Sequence, residues 1–138
     1  MEYRTLICTL GLALLSGCNE DDDAELSTPI ESFEQQVVNS AGKQAIYCGK
    51  VEINESPFTV NTCVSGSFIL NTPFYAFYNV QGFDSTVSYA ISMSSSSVVE
   101  SWFYDSHGEG SISSSICEDP SGTFDLLGSH SDVLNCTE

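Results

Sequence analysis

Apolar side chains recur along this chain with two different periods, and the change of period divides it. Thr28-Pro29-Ile30-Glu31 carries an N-capping threonine, a proline in the first turn and a glutamate placed to close a capping box. Ile30, Phe33, Val37, Val38 and Ala41 follow at helical spacing, and Gly42 ends the run, which predicts an amphipathic helix over 28–41. Ser56-Pro57 opens a second such segment, with Val60, Cys63, Val64, Ser67 and Phe68 on one face and Asn71 and Pro73 as stop signals. The residues between the two helices, Cys48 among them, read as a connection.

From Pro73 the period becomes two. Phe74 to Val80 reads as a strand, Gln81-Gly82-Phe83-Asp84 as a turn, and Thr86 to Ser94 as the clearest alternation in the chain. In that strand Val87, Tyr89, Ile91 and Met93 face one way, and Ser88, Ala90, Ser92 and Ser94 the other. Val98 to Asp105 predicts a third strand and Ser111 to Cys117 a weaker fourth, with turns at 95–97 and 107–110. Asp119-Pro120-Ser121-Gly122 is a further turn, after which Phe124, Leu126, Leu127, Val133 and Leu134 are expected to fold back, pinned by Cys136.

The composite is an α+β domain, with two N-terminal helices packed on one face of an antiparallel meander of three to four strands. Tyr75, Phe77, Trp102 and Tyr104 lie on strands that look apolar on both faces, beside the serine row of the middle strand. This predicts a partner surface of small hydroxyl residues between aromatic walls, unless the C-terminal tail covers it.

The amino terminus carries a different signal. The apolar run from Thr5 to Leu15 is about half the ~20 residues that a membrane-crossing helix needs, so it reads as an export signal to be removed. Leu15-Ser16-Gly17-Cys18 closely resembles the lipobox of bacterial lipoprotein precursors. That resemblance implies cleavage before Cys18, diacylglycerol on its sulfur and an acyl chain such as palmitate on its new α-amine, an anchor far firmer than one acyl chain. Asn19, standing where an Asp would favour retention in the inner membrane, implies the outer membrane, facing the periplasm or the surface. The expected organisation is therefore a signal peptide over 1–17, an acidic tether over 18–27 and a single domain over 28–138. The order of elements in that domain is similar to that of BamE-like lipoproteins and of the β-lactamase inhibitor protein. The similarity is one of layout alone and carries no function with it.

Charge narrows the partners. Nineteen Asp and Glu stand against three Lys and Arg, for a net charge of −16. With Glu2 and Arg4 removed, eighteen acids face Lys43 and Lys50 and the charge stays −16. Nucleic acid, which requires cations to displace its counterions, is excluded as a partner, and anionic lipid is not attracted. The membrane contact is the lipid on Cys18, and the expected macromolecular partner is another envelope protein.

Cys8 leaves with the signal peptide, and Cys48, Cys63, Cys117 and Cys136 remain in an oxidising compartment. Two disulfides are expected, 48 with 63 and 117 with 136. A zinc site fits poorly without a Cys-x-x-Cys pair.

The search for chemistry turns on His107 and His130. Gly128-Ser129-His130-Ser131-Asp132 holds all three triad residue types, but neighbours in sequence do not converge as a relay does. Asp105-Ser106-His107-Gly108-Glu109 sets three metal-ligand types at alternate positions yet reads as a solvated turn, and Asp119 to Asp125 departs from the spacing of a calcium loop. No catalytic, cofactor or metal residue is expected. The reading is a lipid-anchored, non-catalytic envelope binding or structural module. The alternative is a small periplasmic hydrolase or metal-dependent enzyme that uses His107 or His130.

Overall fold

A computed structural model describes residues 28–108, 110–118 and 120. The chain runs α1 (Pro29–Ala41), β1 (Ile46–Val51), α2 (Phe58–Ile69), β2 (Phe74–Gln81), β3 (Thr86–Met93), β4 (Val99–Asp105) and β5 (Ser111–Cys117). The five strands form one sheet in the order β1-β2-β3-β4-β5.

The α+β class and the four-strand meander from β2 to β5 are as the alternation predicts. Helix α1 begins where its capping box places it. The Thr28 Oγ1 accepts from the Glu31 N–H at 3.4 Å, and the Glu31 carboxylate accepts from the Thr28 N–H at 2.7 Å. Gly42, at φ +92°, closes the helix with its N–H on the Val38 carbonyl at 3.0 Å.

Two expectations are corrected. The segment taken as a connection between helices contains β1, which pairs in parallel with β2. The sheet is therefore mixed and five-stranded. Parallel neighbours cannot be joined by a hairpin, and α2 is the crossover that returns the chain. Strand β1 escapes a period-two reading because its register slips between Tyr47 and Gly49, so the alternation breaks after two residues.

The second correction concerns the helices, which lie on opposite faces of the sheet. Val60 and Val64 of α2 pack with Phe74, Ala76, Tyr78, Ile91 and Met93. Phe33 and Val37 of α1 pack with Phe77, Ala90, Trp102 and Tyr104 on the other side. Two cores thus share one sheet. The cause is β2 and β3, whose residues are buried on both faces and so need a cover on each.

Cys48 on β1 and Cys63 on α2 form the expected bridge, with Cα atoms 5.4 Å apart. It ties the edge strand to the crossover helix rather than helix to helix. Cys117 is also disulfide-bonded, while Cys136 lies outside the described residues, as do the tail from Phe124 to Leu134, Cys18 and the tether. No helix among the described residues is long and apolar enough to cross a membrane.

Candidate functional site

The expected partner surface is occupied from within. Phe77, Trp102 and Tyr104 are buried, with Trp102 only 8% exposed, and Phe33 of α1 packs edge-on against Phe77 and tilted against Tyr104, with ring centroids 6.1 and 5.6 Å away. The occupant is α1, so the alternative of a C-terminal cover is not required to bury these rings. Within the serine row Ser92 meets the helix. The Trp102 indole N–H donates to the Ser92 Oγ at 3.0 Å, and that hydroxyl lies 3.3 Å from the Ser40 Oγ, whose own proton goes to Glu100. Tyr75 alone of the four is only half-buried, stacked at 5.2 Å against the exposed Tyr47 of β1.

His107 stands in solvent, 68% exposed, at the turn after β4, with its Nδ1 3.6 Å from Asp84 on the neighbouring hairpin tip. Its backbone N–H donates to the Asp105 carboxylate at 3.0 Å. A hydrogen bond from the Ser85 hydroxyl and this N–H hold Asp105 below its ordinary pKa, so the carboxylate is engaged in shaping the turn. Glu109, His130, Asp119 and residues 121–125 lie outside the described residues. Among the described residues no three His, Cys, Asp or Glu side chains are grouped to hold a metal ion.

Among the described residues a concave surface lies elsewhere, at the carbonyl end of β1 and β2, where the chain leaves one parallel strand and enters the crossover helix. A pocket of about 290 Å³ is lined by Val51, Pro57, Tyr78 and Val80, with Glu52 and Glu55 at its edge. A second cavity of about 490 Å³ adjoins it, running between Gly49 to Val51 of β1 and Ser56, Thr59 and Val60 at the start of α2. Val51 and Glu55 line both. In sheets with parallel strands, this end is where loops and a helix start converge and ligands are taken.

Local sequence builds each wall. The loop turns at Asn54, whose φ of +68° an asparagine tolerates better than most residues. The turn is closed by the Glu55 N–H on the Glu52 carbonyl at 2.9 Å and the Glu52 N–H on the Glu55 carboxylate at 3.0 Å. Glu52 is further held by the Asn79 side-chain amide at 2.9 Å, and Asn79 in turn accepts from the Ser88 hydroxyl at 2.7 Å. Below them the Tyr78 phenol donates to the buried Asn61 Oδ1 at 3.0 Å. Desolvation pushes the Tyr78 pKa far up, so it is a fixed donor and not an acid–base group at neutral pH.

Lys50 is the cation nearest this region, with its ammonium 2.9 Å from Glu34 of α1 and 3.8 Å from Glu52. Partial burial works to lower its pKa, but the hydrogen bond and charge of Glu34, with Glu52 and Tyr47, prevail and raise it. Lys50 is thus already matched, and Glu55 adds negative charge to the rim. Sequence reasoning missed this site because it took 43–55 for a connection. The available signal was the apolar triplet Ile46, Tyr47 and Val51 before a turn-forming Glu52-Ile53-Asn54-Glu55.

Comparison of the chain with protein-family models, with curated proteins and with solved structures finds no match.

Proposed function

We propose that the protein is a lipid-anchored, non-catalytic binding module of the bacterial cell envelope, held by acyl chains on Cys18 and facing the periplasm or surface from the outer membrane. The observation that carries the binding reading is the pair of adjoining cavities at the carbonyl end of β1 and β2. Their walls are backbone, small hydroxyls and apolar side chains; their charges are the carboxylates of Glu52 and Glu55 and, in the larger cavity, Lys50, which is paired with Glu34. Such a lining suits recognition: a fixed hydrogen-bond donor, a shaped apolar wall and a charge at the rim. The exposed position of His107, on the hairpin tips, supports the same reading. The anchor reading is supported by Leu15-Ser16-Gly17-Cys18 and by the acidic run Glu20 to Glu25, whose like charges suit a solvated tether between lipid and domain.

The test is fractionation and labelling. Cys18→Ser should move the protein from the membrane to the soluble fraction and abolish incorporation of a fatty-acid analogue. A variant that stays in the membrane pellet sinks the anchor. His107→Gln and His130→Gln should retain the envelope phenotype of the wild type. Its loss at unchanged stability would instead support the enzyme alternative.

A further inference from the structure

Among the described residues no strand pairs with the outer edge of β1, so that edge presents unpaired backbone N–H and C=O groups. Proteins usually blunt such an edge with an outward-pointing charge. Here the one cation on the strand, Lys50, is drawn instead to Glu34 of α1 at 2.9 Å. The larger cavity runs alongside the edge, between β1 and the first turns of α2. An edge strand flanked by a helix is the geometry into which an extended peptide adds as one more strand.

Two features hold this geometry. The Cys48–Cys63 bridge binds the strand to the helix. Gly49, at φ +123°, lets the backbone approach so closely that a Cβ there would lie 3.1 Å from the Val60 Cγ2. The cavity then leads past Val51 and Glu55 into the smaller pocket, which joins apolar walls to carboxylates at its mouth. An aliphatic stem that ends in a cation matches that combination.

We propose that this groove binds an extended, basic peptide segment of another protein, which adds as a strand to β1 and places a Lys or Arg side chain in the pocket between Glu52 and Glu55. This deepens the binding reading above and rests on it. Charge selects the occupant. The chain's own tether is acidic from Glu20 to Glu25, and its C-terminal segment carries Asp119, Asp125, Asp132 and Glu138 without a Lys or Arg. A second copy brings a charge of −16. Each of these is repelled by the rim, whereas a basic strand is drawn in and gains its register from the backbone.

The experiment uses the full lipidated chain in neutral detergent and a fluorescent peptide of about ten residues alternating Lys and Val, long enough for an ordinary strand. Anisotropy should show saturable binding, and hydrogen exchange should show new protection of those amides of 48–51 that face away from β2. The same peptide with Glu for Lys, or with alternate backbone nitrogens methylated, should bind at least about tenfold more weakly, as should the basic peptide to the E52Q/E55Q variant. The proposal is overturned if the basic peptide binds without protecting β1, or if methylation of its backbone has no effect. It is equally overturned if the amides of 48–51 that face away from β2 are already protected in the free chain, by its own segments or by dimerisation. These outcomes do not depend on acylation, so they are separable from the Cys18→Ser result.

Discussion

Tyr78 shows how one side chain couples the two layers on the α2 side. Its phenol is buried between β2 and α2 and donates to Asn61 at 3.0 Å. Burial raises its pKa above the ordinary 10.0, so the folded state keeps a proton that the unfolded state releases. Stability from this group is therefore complete below pH 10.0 and is lost as pH rises beyond it. Tyr78→Phe should cost about 1 kcal/mol at neutral pH, the usual worth of a hydrogen bond, and should flatten the alkaline limb of the stability profile in urea titrations. Some alkaline slope should persist. Tyr47 is raised by desolvation, and Lys50, raised by Glu34, loses its stabilising charge above its ordinary 10.5. An unchanged alkaline limb in Tyr78→Phe would contradict the assignment.

At the scale of elements, α1 is the cover of the sheet's second face, and Phe33 is its principal contact. The ring is fully buried against Phe77 and Tyr104. Phe33→Ala should cost about 3–5 kcal/mol, the usual range for removing a core aromatic ring. Trp102 reports the same event. In the wild type its emission should be blue-shifted and resist iodide and acrylamide, and in Phe33→Ala it should shift to the red and become quenchable. Helix α1 was legible because its signals are local: a cap, a proline, a stripe and a terminal glycine within one short window. Strand β1 was not, because the slip between Tyr47 and Gly49 hides its alternation, and its partner β2 lies beyond a whole helix in the chain.

The whole molecule carries a charge of −16, and its exposed carboxylates repel one another in the compact state. Added salt shortens that repulsion, so the denaturation midpoint should rise between low ionic strength and about 0.15 M, where the Debye length is about 8 Å. A midpoint that falls with salt would mean that ion pairs such as Lys50 with Glu34 outweigh the repulsion. Unreduced peptide mapping should recover Cys48 linked to Cys63, a bridge whose loop of 15 residues contributes about 3 kcal/mol in the chain-entropy account. It should also recover Cys117 linked to Cys136, which would fasten the C-terminal segment to the last strand. Any crossed pairing overturns that second link.

The features legible in the residues were those set by neighbours a few positions away: the capping box at Thr28, the hairpins from β2 to β5, and an alternation fine enough to sort Ile91 from Ser92. The bridge between Cys48 and Cys63 was also within reach, because a short loop in an oxidised domain leaves few better partners. What tertiary structure decided was which surface met which. The apolar residues on both faces of β2 signalled a sheet covered twice, yet periodicity assigns a residue to a face without naming the element that covers it. A connection between parallel strands must pass over one face, so α2 took that side and left the other to α1. The aromatic row thereby became core. The cavity beside β1 exists only because a strand with no visible period adds in parallel to the edge of the sheet and a disulfide draws the next helix against it.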